Sequence, residues 1–166
     1  MSLQQLAHSS VRRSSAGSQV FTASGSFTVP VFTSLTVVAE GGSGDAGPAG
    51  STASDPGLGD CPGGPGGAGG IGGKATKVYT SGLVVGSSVT VSIVGKTVVF
   101  NSAVTANVGA TGGAGQDGVW VSRAGDYVCE GGGSGSTGAN GTATGGDTNV
   151  TGGSTNSTGK LTITWS

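Results

Sequence analysis

The side chains able to do chemistry are few in this sequence and poorly placed for it. His8 is the only histidine, and it lies in a polar stretch with no cysteine or carboxylate at ligand spacing. It offers neither a metal site nor a general base. The eight acidic residues are scattered, and no histidine is placed to activate the many serines. GSGDAG (42–47) has the spacing of a dinucleotide fingerprint, but that motif must open a helix whose N-terminus meets a pyrophosphate. Pro48 and the glycines that follow rule a helix out. IGGKAT (71–76) departs from a phosphate loop at Ala75, where a hydroxyl residue is needed, and at Ala68, where the first glycine belongs. GGAGQDGVW (112–120) fits a single calcium-binding nonapeptide, whose sites need tandem copies, so Asp117 reads as a turn residue. The sequons at Asn140, Asn149 and Asn156 arise freely in a chain this rich in Ser and Thr. The expectation is a protein with no catalytic residue, no cofactor and no metal.

What the elements do must then be read from their architecture. Six segments have β character: 19–30, 34–40, 77–85, 88–100, 119–130 and 160–166. Val89, Val91 and Ile93 share one face, as do Leu161, Ile163 and Trp165, the alternation of half-buried strands. No segment carries helical periodicity with start and stop signals, so helix should be nearly absent.

Between the strands glycine recurs every third residue. Gly41, Gly44, Gly47 and Gly50 form one run, and Gly64, Gly67, Gly70 and Gly73 a second. Gly109, Gly112, Gly115 and Gly118 form a third, and Gly132, Gly135, Gly138 and Gly141 a fourth. Three residues per turn is the period of polyproline II, whose backbone groups have no partner within the helix. A line of glycines on one side lets neighbouring helices approach and bond to each other. The fold class expected is therefore all-β: short antiparallel strands combined with a packed polyglycine II sandwich.

Cys61 and Cys129 each lie three residues before the first glycine of a run, Gly64 and Gly132. If those runs are parallel neighbours the sulfurs could meet in a disulfide; the alternative is two separate thiols. The loop 51–63 breaks the glycine phase and carries Asp55, Leu58 and Asp60, which makes these residues candidates for surface contact. Trp120, Arg123 and Tyr127 flank the turn at 123–126 and are candidates of the same kind, although Trp120 also suits a core or a subunit interface.

Glycine supplies 37 of 166 residues, only 9% are charged, and the net charge is −1. The seven basic residues are scattered apart from Arg12-Arg13, which argues against nucleic acid as a partner. No stretch reaches the roughly 20 apolar residues of a membrane span. Residues 1–18 read as a polar attachment arm with Val11, Arg12 and Arg13 at its centre, and residues 19–166 as one domain.

In GSFTVPVFTSLTVVAEGGSG (25–44), GGAGGIGGKATKVYTSGLVVGSSVTVSIVG (66–95), TGGDTNVTGG (144–153) and GKLTITWS (159–166), the chain resembles the glycine-rich domains of bacteriophage tail fibres and fibre-tip adhesins. The resemblance implies a non-enzymatic virion structural protein, assembled in the host cytoplasm and exposed on the particle, whose loops between glycine runs touch a bacterial receptor. The expected partners are other virion proteins through the arm, further copies of the chain (a trimer is one such assembly) and a bacterial surface receptor. A capsid or tail decoration protein with no receptor role is the nearest alternative. A polyproline II antifreeze protein is one of another class.

Overall fold

Alternation of Val, Leu, Ile and Phe with polar residues gives strands with one greasy face, and two sheets bury those faces against each other. The computed structural model describes residues 15–166, and among these no helix forms. One sheet has the order β1 (Gly17–Phe21), β14 (Lys160–Trp165), β3 (Leu35–Glu40), β6 (Gly72–Tyr79) and β13 (Thr148–Ser154). The other runs β12 (Ala143–Thr144), β9 (Val104–Ala106), β8 (Thr97–Phe100), β7 (Ser88–Val94) and β2 (Gly25–Thr28). Leu35, Val37, Leu161 and Ile163 from the first sheet and Phe27, Val91, Val98 and Phe100 from the second form one buried cluster. Aromatic pairs bind the layers, with ring centroids 5.7 Å apart for Phe27 and Trp165 and 6.1 Å for Tyr79 and Phe100. Burial of each such side chain stabilises by about 1.5–3 kcal/mol.

Local chemistry moves several of the expected boundaries. Residues 88–100 are a hairpin, not one strand, because Gly95 and Lys96 both take positive φ in a two-residue turn. Residues 83–85 leave the sheet: Gly82 and Gly86 have positive φ, Val84 is 72% exposed, and β6 instead begins earlier, inside the second glycine run. β1 opens at Gly17, ahead of the boundary expected after residue 18. A Cβ on Gly17 would fall within 2.3 Å of the Trp165 indole, so the strand lies tight against that ring.

β3 and β6 pair antiparallel from Leu35–Tyr79 to Glu40–Lys74. Their register does not stop where the strands do. Gly41 N–H donates to the Gly73 carbonyl, Gly44 to Gly70, Gly47 to Gly67 and Gly50 to Gly64. The same register then resumes as a β-ladder from Ala53–Cys61 to Asp55–Gly59, between β4 (Ala53–Asp55) and β5 (Gly59–Cys61). Residues 35–79 are thus one continuous ribbon. A second ribbon behaves alike. Its pairing starts with Ala106–Ala143 and continues through N–H donors on Asn107, Ala110, Gly113 and Gln116 to carbonyls of Thr142, Ala139, Ser136 and Gly133. It ends in the ladder Val119–Glu130 to Arg123–Asp126, between β10 (Val119–Arg123) and β11 (Asp126–Glu130).

In the middle of both ribbons only every third residue bonds, and other N–H groups reach across to the other ribbon. Gly109, Gly112, Gly115 and Gly118 donate to Gly42, Asp45, Pro48 and Ser51, so the first and third glycine segments (41–52 and 107–118) run parallel. Gly132, Gly135, Gly138 and Gly141 donate to Pro62, Pro65, Ala68 and Ile71, so the second and fourth (62–71 and 131–142) do too. Gly64, Gly67 and Gly70 donate to Gln116, Gly113 and Ala110, joining the second segment to the third. The second segment accordingly touches all three others. A Cβ on Gly66 would lie 1.8 Å from the Gly47 carbonyl oxygen in the first segment, and one on Gly67 would lie 1.8 Å from that of Ser136 in the fourth. Two positions in three must therefore be glycine, while the third, Pro65 or Ala68, is exposed.

Where sheet meets glycine, Glu40 anchors the junction. Lys160 approaches its carboxylate at 2.9 Å and Lys74 at 3.5 Å. Burial alone would raise the Glu40 pKa, but bonds and attraction from Lys160, with Lys74 and Asn156, outweigh it and hold the carboxyl below its ordinary 4.5. A depressed carboxyl stabilises the fold above its unfolded value and loses that contribution as pH falls through the folded value. Glu40→Gln should therefore cost about 1 kcal/mol at neutral pH, a difference that closes in denaturant titrations run progressively below pH 4.5. In the glycine segments, Gly67→Ala should destabilise by roughly 3 kcal/mol or more, whereas Ala68→Val next to it should stay within about 0.5 kcal/mol in thermal melts.

Candidate functional site

The two ribbons end in hairpins at the same pole of the molecule. At the opposite pole Gly17 pairs with Trp165, and the Ser166 carbonyl accepts from Thr33 N–H. Both ends of the described chain therefore lie away from the hairpins. Val11, Arg12 and Arg13, read as attachment residues, lie outside the described residues, as does His8.

Each hairpin closes as its sequence dictates. In the first, Asp55 accepts from the N–H groups of Gly57 and Leu58 across a three-residue loop, and Gly59 takes φ of 91°. In the second, Ala124 and Gly125 both have positive φ between Arg123 and Asp126, the two-residue turn that matches strand twist. Cys61 and Cys129 form a disulfide between the hairpins, with Cα atoms 5.3 Å apart. The parallel course of the second and fourth segments brings these two positions together. The bond ties the tips of ribbons whose middles are already hydrogen-bonded.

Register decides which way each side chain of the second hairpin faces. Trp120 pairs with Cys129 and Ser122 with Tyr127, so these share the face that the disulfide turns toward the first hairpin. Trp120 is half-buried, and its indole N–H is enclosed without an acceptor. Val119, Val121 and Val128 occupy the opposite face, with Arg123, Asp126 and Glu130. Val119 is 49% and Val128 43% exposed, and Arg123 reaches diagonally to an ion pair with Glu130. Tyr127 is 60% exposed and Leu58, on the other hairpin, 41%.

Of the residues singled out from sequence, Asp55, Leu58, Asp60, Trp120, Arg123 and Tyr127 all lie on these two hairpins. Asp60 accepts a bond from the Ser54 hydroxyl. The valine face is the part that sequence reasoning passed over. Its signal was present in the alternation of Val119 and Val121 and in Val128, once the turn at 124–125 was used to fold one strand on the other.

Among the described residues no three His, Cys, Asp or Glu side chains are close enough to hold a metal ion. An open recess of about 180 Å³ at the opposite pole is lined by Ser34, Thr36, Thr164, Trp165 and Ser166, with no titratable side chain to do chemistry. Comparison with family models, with curated proteins and with solved structures found no match to this chain.

The disulfide closes a loop across a sequence separation of 68. Replacing both cysteines by serine should lower stability by on the order of 4 kcal/mol. Calorimetry of the wild type with and without reductant should reproduce that loss, while the double variant should be insensitive to reductant.

Proposed function

We propose that this chain is a non-enzymatic bacteriophage virion structural protein, a fibre or tip component held to the particle at its base and presenting its hairpin tip to the bacterial surface. The observation that carries the reading is polarity. Both ends of the described chain leave from one pole, and the disulfide-tied hairpins, with their exposed Leu58, Tyr127 and valines, stand at the other. Between them the glycine segments bond on every third residue, which supports reading them as polyglycine II helices. Ten to twelve residues at about 3.1 Å each make a spacer of roughly 30 Å. Such a spacer is stiff because its N–H and C=O groups are tied to neighbouring segments. The residues ahead of β1 supply the attachment to other virion proteins, and further copies of the chain complete the assembly.

Two variants separate the two ends of this reading. Deleting residues 1–14 should leave a folded domain that is missing from purified particles. Leu58→Asp with Val128→Asp should leave incorporation normal and reduce particle adsorption to cells by tenfold or more, roughly the loss expected when an interface centre is charged. Normal incorporation of the deletion variant would overturn the attachment role. Normal adsorption of the tip variant would leave a decoration protein with no receptor role.

A further inference from the structure

We infer that the valine face of the second hairpin docks a basic protein segment, a strand or extended loop whose lysines or arginines answer Asp126 on that face and the acidic field of the tip as a whole. The inference rests on the tip being the contact surface proposed above and adds the chemistry of the partner.

The charges of the described chain are divided by position. The lysines, Lys74, Lys77, Lys96 and Lys160, all sit on or beside the sheets, together with Glu40, Asp45 and Asp147, a formal balance of +1. The tip carries Asp55, Asp60, Asp117, Asp126 and Glu130 against a single Arg123, a formal balance of −4, and all six are exposed. Several carboxylates have local partners: Asp55 takes the loop N–H groups, Asp60 the Ser54 hydroxyl, Asp117 the Ser51 N–H, and Glu130 the Arg123 guanidinium. None of these contacts removes charge except the last. Asp126 makes no side-chain bond among the described residues.

Such a field repels phosphate-bearing and acidic surfaces and steers a cationic one inward. The valine face within that field is apolar and aliphatic, with Val119, Val121 and Val128, so it favours a partner that can bury hydrocarbon. Lysine and arginine do this with their stems while keeping the charge at the rim. β10 and β11 also form a sheet of only two strands, so each has an open edge to which an extended segment can add. A basic strand with alternating apolar residues answers the field, the valines and the open edge at once. A neutral glycan answers none of the three.

The test uses the full chain and three immobilised synthetic peptides of equal length, alternating Val-Lys, Val-Glu and Val-Ser, in biolayer interferometry. The Val-Lys peptide should bind, and its affinity should fall at least about fivefold between about 20 mM and about 300 mM NaCl. Asp126→Asn combined with Glu130→Gln should weaken it about three- to tenfold, and Val128→Ser should weaken it at every salt concentration. Variants are compared only where their melting transition matches the wild type. Equal binding of all three peptides, binding insensitive to salt, or no binding of the Val-Lys peptide would overturn the inference. If the Leu58→Asp, Val128→Asp particle fails to adsorb while the Val-Lys peptide does not bind, the contact surface stands and its basic partner falls. If the peptide binds as expected while adsorption is unchanged, the docking chemistry stands and the receptor role falls.

Discussion

Everything in this molecule depends on backbones that approach too closely for a side chain to fit between them. Glycine loses more conformational freedom on ordering than any other residue, and these segments bond only to their neighbours, so a lone one has nothing to offset that loss. Stability has to come from neighbours. The segments make four backbone bonds in each parallel contact and comparable sets in the antiparallel ones, at N···O distances near 2.8 Å in the antiparallel contact of the first and second. Each such bond is worth only about 0.5–1.5 kcal/mol net, so no one pairing holds the region, and removing one segment strips partners from the others. The second and third segments each contact three neighbours, and the region forms cooperatively around them.

This constraint also explains an asymmetry in the sequence. Both central segments have three neighbours, yet only the second doubles its glycines in every triplet, in GGPGGAGGIGG. The Cβ directions account for this. In the second segment one set of positions would strike the first segment and another the fourth, so Gly66 and Gly67 are both obligatory. In the third segment only Gly109, Gly112, Gly115 and Gly118 face the second, and Ala110, Thr111, Ala114 and Gln116 are exposed. Composition follows from how many faces each segment turns inward.

The all-β character, the strand faces and the glycine phase were legible because each is a local period: two in Val89, Val91 and Ile93, three in the glycine runs. The continuous registers were harder to see, because they are relations between distant residues. Glycines 41 to 50 and 64 to 73 mirror each other about Gly57, which sits in the hairpin loop, and that symmetry is the trace of the first ribbon in the sequence. β13 carried little signal: it contains Gly152 with positive φ and a register shift between Val150 and Ser154, so alternation is broken where the strand exists. The strand drawn over 77–85 failed for the opposite reason, since Leu83, Val84 and Val85 look like a strand but lie between two glycines that turn the chain. At the tip, the matched offset of the cysteines was readable, but which face of Trp120 and Val121 pointed outward required the hairpin turn and the disulfide together.

The registers also show how the tip is held in place without a core of its own. A hairpin of three or five residue pairs is marginal in water when isolated. Here each hairpin inherits its register from the sheets, through a glycine region that passes the pairing on unchanged while altering its period. Lys96, at the turn between β7 and β8, accepts Gly42 N–H on its carbonyl and donates its ammonium to the Ser43 carbonyl and the Asp45 carboxylate, fixing where the first segment leaves the base. At the far end Asp117 takes the Ser51 N–H and the disulfide joins Cys61 to Cys129. The chain thus clamps its glycine segments at both ends, first by a half-buried lysine and then by a covalent bond. Position at the tip is set by hydrogen-bond register over the whole length, not by local packing, so the hairpin residues are free to be polar, acidic or exposed without weakening the fold that displays them.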